Sequence, residues 1–188
     1  MSAPITRIGI YYGSNGGSTK LVAQQLASAL LDQTGLHLTL ADIARVPMTD
    51  LLGHGLLLLG CSTWNYGELQ DDWDLNFTAF QELDLDGVRV GFFGCGDQYT
   101  YPDTFGDALG TLADAAQVSG AVLVGALPTS GYEFSDSKAV QRGQFVGLLL
   151  DEDTEPELTP GRLARWIARL TDELALAVRL HTPQETGA

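Results

Sequence analysis

Residues 55–67 read GLLLLGCSTWNYG, and this stretch decides the fold. The run from Gly55 to Gly60 is apolar throughout, which is typical of a parallel strand that is buried on both faces of a sheet. A loop from Ser62 to Gly67 follows at once and carries a Trp and a Tyr among polar residues. Because ligands of open α/β sheets bind beyond the carboxyl ends of the strands, this loop is a candidate ligand site.

The same succession of strand and loop occurs twice more in the chain. An apolar run from Val88 to Phe93 is followed by a loop from Gly94 to Tyr101 that again carries aromatic residues. A strand pattern from Arg7 to Tyr12 is followed by a Gly-rich stretch from Gly13 to Thr19, which opens a helix. Two aromatic loops can hold a flat ring between them, and the N–H groups of a helix N-terminus can hold a phosphate. A flat ring joined to a phosphate indicates flavin mononucleotide (FMN).

The loop from Gly13 to Thr19 does not identify its ligand by itself. Counted from Gly13, the second Gly and the Lys of a P-loop are replaced by Ser18 and Thr19, and the Gly-x-Gly-x-x-Gly pattern of dinucleotide sites is absent. A glycine-rich turn in which Ser18 or Thr19 caps the helix explains the loop as well as phosphate binding does.

Strand and helix patterns alternate along the chain, which predicts βαβ units around a parallel sheet. A polar, Gly-rich stretch from Leu127 to Gln144 interrupts the alternation before a final strand. No linker divides the chain, so we expect one domain over residues 1–180 and a disordered tail at residues 181–188. The predicted strands are Arg7–Tyr12, Leu36–Ile43, Gly55–Gly60, Val88–Phe93, Ala121–Ala126 and Phe145–Leu150, and the predicted helices are Thr19–Leu31, Gln70–Glu82, Thr104–Ser119 and one that begins near Pro160 with Thr159 as its cap.

The composition excludes several classes of protein. The 188 residues carry 10 Lys and Arg against 24 Asp and Glu, a formal net charge of −14. Nucleic acids and anionic membranes need a basic surface, so neither is an expected partner. Two cysteines are too few for a disulfide framework or a zinc site. The chain shows no apolar run of membrane-spanning length and no signal-peptide pattern at its start, which predicts a cytoplasmic protein.

Three longer segments occur in an order that is typical of one family. Residues 63–70 resemble the first ring-contacting loop of the flavodoxins, and residues 96–103 resemble the second. Residues 131–148 resemble the insertion that splits the last strand of the long-chain members, and residues 150–153 follow in register. The resemblance extends from Ile8 to about Leu174. It implies a flavodoxin-like open sandwich with a five-stranded parallel sheet of order 2-1-3-4-5, helices on both faces and a split last strand.

The resemblance also implies a role for particular residues. It makes residues 14–19 the phosphate cradle and places Trp64 on one face of the flavin ring and Tyr101 on the other. Asn65 and Tyr66 are expected beside the N5 edge of the ring, and Asp97 is expected to accept from the ring N3–H. Asp153 is expected on the ribityl side. The full predicted FMN site is Ser14, Asn15, Gly16, Gly17, Ser18, Thr19, Ser62, Thr63, Trp64, Asn65, Tyr66, Gly67, Cys95, Gly96, Asp97, Tyr101 and Asp153.

The function that the resemblance implies is one-electron transport rather than catalysis. A flavodoxin moves between its semiquinone and hydroquinone states, takes electrons from a basic-surfaced reductase and passes them to an acceptor redox protein in transient complexes. We expect a monomer. The alternative is an NAD(P)H-dependent quinone or flavin reductase on the same fold, which needs one open face of the flavin for hydride transfer. A phosphoryl receiver is excluded because it needs acidic residues after the first strand, where Gly13 and Ser14 stand.

Overall fold

The computed structural model describes residues 5–176, in which strands and helices alternate. The predicted domain end at residue 180 and the predicted tail lie outside the described residues. The strands are β1 (Arg7–Tyr12), β2 (His37–Asp42), β3 (Leu56–Gly60), β4 (Thr63–Trp64), β5 (Glu68–Leu69), β6 (Arg89–Cys95), β7 (Val122–Leu123), β8 (Leu127–Pro128), β9 (Val140–Gln141), β10 (Gln144–Phe145) and β11 (Gly147–Leu150). The α-helices are α1 (Ser18–Thr34), α2 (Asp71–Gln81), α3 (Asp107–Val118) and α4 (Thr159–Glu173).

The main sheet is parallel and has the predicted strand order. Strands β2, β1, β3 and β6 lie side by side in that sequence. Strand β3 pairs with one edge of β6 from Arg89 to Phe93. On the other edge of β6, β7 pairs with its first two residues and β11 pairs with its last four. Two segments therefore share the fifth position of the sheet, and the predicted 2-1-3-4-5 order with a split last strand is confirmed.

The first half of the split strand is shorter than predicted. The sequence predicts a strand over Ala121–Ala126, whereas the structure has only Val122–Leu123. The chain leaves the sheet at Gly125, whose backbone groups bond to α4 instead. Its N–H donates to the Glu173 carboxylate at 3.1 Å, and its carbonyl accepts from the Trp166 indole at 2.8 Å.

The insertion between β7 and β11 has a structure of its own. Strands β8, β10 and β9 form a small antiparallel sheet in that order. Aromatic rings hold it together, since Phe145 lies 5.0 Å from Tyr132 and 5.2 Å from Phe134 between ring centroids. Phe105, which precedes α3, packs against the same three rings. The insertion is therefore anchored beside the second aromatic loop.

Helices cover both faces of the main sheet, as the apolar run in β3 predicts. Leu56 and Leu58 pack on the face that α1 and α4 cover, whereas Leu57 and Leu59 pack on the face of α2 and α3. All four leucines are fully buried. Trp73 and Trp166 are fully buried on opposite faces of the sheet. Among residues 5–176, no helix combines the length and the apolar character that crossing a membrane requires.

A buried histidine lies under the first strand. His54 packs edge-on against the Tyr11 ring at 5.7 Å, and its Nδ1–H donates to the Leu51 carbonyl at 3.1 Å. Its Nε2 is buried without a hydrogen-bond partner. Burial lowers the pKa of His54 below the ordinary value of 6.5, because a charged ring here would lose its hydration.

We predict that His54 makes the folded chain less stable in acid. As pH falls through 6.5, His54 becomes protonated in the unfolded chain but stays neutral in the folded chain. The free energy of unfolding therefore decreases. For one proton, the free energy of unfolding changes by at most about 1.4 kcal/mol per pH unit. This dependence disappears once the pH is below the pKa of His54 in the folded chain. Urea unfolding at a series of pH values should show a shallower slope in His54→Phe, which keeps the ring packing. The exposed His37 provides the control. If His37→Asn makes the dependence of unfolding free energy on pH as shallow as His54→Phe does, His54 is not the group responsible.

Candidate ligand-binding cleft

Backbone hydrogen bonds hold the three predicted loops at one edge of the sheet. Sheet pairing continues past the ends of the strands. The N–H of Gly13 donates to Gly60, that of Cys61 donates to Phe93 and that of Gly96 donates to Leu150, each at 3.0 Å. The start of each loop is thereby fixed to the neighbouring strand, and the loops converge.

The loops enclose a cleft of about 360 Å³. Thirteen of the seventeen residues predicted as a site line this cleft. Glu152, which directly precedes the predicted Asp153, lines it as well. The residues that line it are Ser14, Gly16, Ser18, Thr19, Ser62, Thr63, Trp64, Asn65, Cys95, Gly96, Asp97, Tyr101, Glu152 and Asp153.

One end of the cleft is the N-terminus of α1. Gly17 occupies the N-cap position with a φ of 95°, and no side chain accepts a hydrogen bond from the first turn of the helix. The alternative in which Ser18 or Thr19 caps the helix is therefore wrong, since both residues lie within it. No acidic residue lies in this first turn. The uncapped N–H groups and the hydroxyls of Ser14, Ser18 and Thr19 make this end a donor-rich site for an anion.

Two of the four predicted residues that do not line the cleft belong to this loop. Gly17 turns the chain into the helix, and its N–H donates to the Ser14 hydroxyl at 3.0 Å. The Asn15 side chain is turned toward α2, where its amide donates to Asp71 at 2.8 Å and its oxygen accepts from Gln70 at 2.6 Å. Both residues shape the loop, and Asn15 ties it to the start of α2.

The other end of the cleft carries the two predicted aromatic residues. Trp64 and Tyr101 are 40% and 41% exposed, so each presents part of a large ring to the cleft. The Trp64 indole donates to the Ser62 hydroxyl at 2.8 Å, which fixes the ring. Trp64 belongs to the hairpin formed by β4 and β5, and Asn65 at its turn adopts a φ of 46°. Asn accepts such left-handed backbone more readily than most other residues.

Tyr66 and Gly67 also lie outside the lining of the cleft. Tyr66 is 84% exposed, and its ring meets the edge of the Tyr101 ring at 6.2 Å between centroids. Tyr66 therefore supports Tyr101 from outside. Gly67 closes the hairpin turn through an N–H that donates to the Trp64 carbonyl at 3.1 Å.

The hairpin is fastened to α3 by side chains. Gly106 at the N-terminus of α3 provides no cap, and the Ala108 N–H donates to Thr63 of the hairpin at 3.2 Å instead. Asp107 is buried beside Gly67, and its carboxylate accepts from the Lys138 N–H of the insertion at 2.7 Å. Thr63 and Asp107 thus connect the first aromatic loop to α3 and to the insertion.

Acidic side chains surround the cleft. Asp97 accepts from the N–H groups of Tyr99 and Thr100 at 3.0 and 2.7 Å. Burial alone would raise the pKa of Asp97, but hydrogen bonds from Thr100 and Tyr99 outweigh it, so the pKa lies below its ordinary value. The Glu152 carboxylate accepts from the Thr159 hydroxyl. Thr159 was predicted as the cap of α4, but it is the first residue of the helix and its side chain serves this contact.

Both cysteines are buried free thiols. Cys95 lies at the floor of the cleft, where burial raises its pKa to about 12 despite a hydrogen bond with Thr19. Burial likewise raises the pKa of Cys61 to about 12. The two side chains belong to cores on opposite faces of the sheet. Among the described residues, no cluster of His, Cys, Asp or Glu has the arrangement of a metal site.

A buried glutamine holds the second aromatic loop, and apart from its place in the family motif no sequence pattern indicates this role. Gln98 is fully buried, and its backbone N–H donates to the fully buried Asp151 carboxylate at 3.1 Å. Its side-chain amide donates to Glu155 at 2.8 Å, and its side-chain oxygen accepts from the Glu133 N–H of the insertion at 2.6 Å. Every polar atom of this side chain is therefore used to join three segments.

An open, doubly wound sandwich with a cleft at the carboxyl ends of its strands belongs to the class that binds mononucleotides there. Comparison with known sequences identifies the family. The sequence model described as Flavodoxin matches residues 10–166. The flavodoxin of Haemophilus influenzae is 43% identical over 175 residues, which are 90% of this chain and 97% of that protein. Flavodoxin 1 of Escherichia coli is 44% identical over 170 residues, 89% of this chain and 94% of that protein. The chain belongs to the flavodoxin family.

Solved structures agree with this assignment. The Fusobacterium nucleatum flavodoxin bound to flavin mononucleotide superposes with a TM-score of 0.83 and 27% sequence identity. The superposition covers 89% of this chain and 98% of that one.

We predict that Asp107 lies too close to Gly67 for the hairpin to accept a side chain at that position. Gly67 has a φ of 93°, and a Cβ atom there would lie 2.7 Å from Asp107 Oδ2. Gly67→Ala should lower the free energy of unfolding by more than the roughly 1–2 kcal/mol that left-handed backbone costs alone. Gly53→Ala is the matched control, because Gly53 has a φ of 82° and open space around it. Equal losses in urea unfolding of the two variants would show that Asp107 moves aside freely.

Proposed function

We propose that this chain is an FMN-containing carrier of single electrons. The observation that supports this most directly is the cleft itself, which joins an uncapped helix N-terminus to two half-exposed aromatic rings in a member of the flavodoxin family. When bound, FMN supplies the redox chemistry, and the protein binds it, orients it and tunes its potential.

The donor set fits the phosphate of FMN. Ser14, Ser18 and Thr19 supply hydroxyls, and the first turn of α1 supplies N–H groups that no side chain caps. No Lys or Arg lines the cleft among the described residues. A phosphate would therefore be held by hydrogen bonds and the helix dipole rather than by ion pairs.

The other residues fit a flat, redox-active ring. Trp64 and Tyr101 offer stacking surfaces, and Ser62, Asn65 and Gly96 border the space near them. Asp97, Glu152 and Asp153 also line the cleft, and these acidic groups oppose the gain of further negative charge in it. We infer that these acids lower the potential at which the bound cofactor accepts its last electron.

The alternative of an NAD(P)H-dependent reductase is less well supported. Hydride transfer needs one uncovered face of the flavin, and this cleft carries two large aromatic side chains at its ring end. The named relatives are flavodoxins, which carry electrons and are not enzymes. Steady-state oxidation of NADPH by the purified protein alone would favour the reductase.

We propose cytoplasmic function in transient complexes with a basic-surfaced reductase and an acceptor redox protein. Two free thiols fit a reducing compartment, and the net charge of −14 fits basic partners. The exposed acids Asp103, two residues after Tyr101 of the cleft, and Asp74, in the first turn of α2, are the candidate contacts.

We predict that the purified protein binds one FMN in preference to FAD and that the stacking residues set its affinity. Trp64→Ala and Tyr101→Ala should each weaken FMN binding by about 1–3 kcal/mol, or roughly five- to 150-fold, as expected for the loss of a stacked aromatic ring. Fluorescence titration of the apoprotein measures this directly. Tyr99→Ala is the matched control, because Tyr99 is half-exposed in the same loop but does not line the cleft. Similar losses in all three variants, or a protein that takes up no FMN, would refute the proposal.

We predict that exposed acids of α2 and of the segment after Tyr101 guide the reductase. Asp74→Lys with Asp103→Lys should slow electron transfer from a basic reductase at low ionic strength and leave FMN affinity unchanged, because neither side chain lines the cleft. Asp71 is unsuitable for this test because it bonds to Asn15.

The control for this prediction is Asp32→Lys with Asp172→Lys, which makes the same change in net charge near the C-terminal ends of α1 and α4. Stopped-flow rates over a series of salt concentrations compare the two pairs. If both pairs slow the reaction equally, only the total charge matters and no docking surface is defined.

A further inference from the structure

A second cavity lies between the insertion and the start of α4. Its volume is about 150 Å³, and it shares no lining residue with the cleft. Because a single water needs only about 10–15 Å³ of such space, the cavity can accept a larger ligand. It is lined by Leu127, Pro128, Ser130, Tyr132, Arg162 and Arg165.

The polar side chains that line this cavity are chiefly hydrogen-bond donors. Arg162 and Arg165 have no acceptor atoms, and among the described residues no acidic side chain lines the cavity. The Tyr132 hydroxyl is already used, since it donates to the Leu149 carbonyl at 2.6 Å. Ser130 adds a hydroxyl, and Leu127 and Pro128 are apolar. A ligand that matches this lining must therefore bring acceptors.

Arg162 is held rigidly and still has unused donors. Its guanidinium carbon lies 4.1 Å from the centroid of the Tyr132 ring. Its Nη2 donates to Glu155 at 2.8 Å and to the Gly131 carbonyl at 2.9 Å. The side chain is 4% exposed, yet its Nη1 is buried without a hydrogen-bond partner. Buried donors of a charged group are rarely left unpaired, so a missing acceptor is indicated here.

We propose that this cavity is a binding site for a small oxyanion, a carboxylate or a phosphate, which Arg162 and Arg165 hold together. The two guanidinium groups lie three residues apart on α4, and Glu155 is the one carboxylate paired with them among the described residues. Guanidinium groups bind carboxylate and phosphate through paired N–H bonds. Because Glu155 also accepts from Gln98, an anion at Arg162 is connected through two hydrogen bonds to the second aromatic loop.

The test uses the FMN-saturated protein, so that the loop at residues 13–19 is already filled. Inorganic phosphate and malonate are titrated separately at constant ionic strength, and binding is followed by NMR at the Ser130 amide and the arginine Nε–H groups. We expect saturation by at least one of the two anions, and the tighter one identifies the chemistry. Arg165→Gln should weaken binding about tenfold, as expected for the loss of one charge-assisted contact.

Arg169→Gln is the matched control, because Arg169 lies on the same helix, outside the cavity, and pairs with Glu173. It should bind the anion as the unchanged protein does. Ser130→Ala is a second test variant. It removes a hydroxyl that lines the cavity, leaves the Arg162 contacts intact and should also weaken anion binding. If neither anion saturates the protein, or if Arg165→Gln and Arg169→Gln bind it equally, the proposal is wrong. Failure of FMN binding would be visible before the titration and is therefore a separate result.

Discussion

The parallel pairing of β1, β3, β6 and β11 is the constraint on which the rest of this molecule depends. Parallel strands bring their carboxyl ends to one edge of the sheet, and the pairing continues into the loops through the N–H groups of Gly13, Cys61 and Gly96. Each loop therefore starts from a fixed point on its neighbour. The geometry of the cleft follows from backbone bonds before any side chain is considered.

Side chains then join the loops to one another. Gln70 and Asp71 bind Asn15 of the loop at residues 13–19, and Thr63 of the first aromatic loop caps α3. Gln98 connects the second aromatic loop to Glu155 and to the insertion. Most of these polar groups are buried or half-buried, where an unpaired donor or acceptor is costly. The cleft is consequently a cooperative structure, and moving one loop requires breaking contacts to the others.

Much of the fold could be predicted from the sequence, because it follows from local patterns. The continuous apolar run in β3 required helices on both faces, and the three strand ends located the cleft. The positions of Asn15 and Tyr66 could not be predicted, since each is decided by a partner distant in sequence, Asp71 and Tyr101 respectively. The stretch from Leu127 to Gln144 is polar and Gly-rich, so its sequence does not predict an aromatic cluster. Only the fold brings Tyr132, Phe134 and Phe145 around Phe105.

The placement of the two thiols on opposite faces of the sheet has a consequence for how readily they are oxidised. Oxidants attack thiolates rather than thiols, and with pKa values of about 12 neither Cys61 nor Cys95 is a thiolate at neutral pH. The β-sheet also separates the two sulfur atoms, so an oxidised cysteine finds no resolving partner within the chain. The sheet that organises the cleft thus also keeps its two thiols apart, and their burial keeps both protonated at neutral pH.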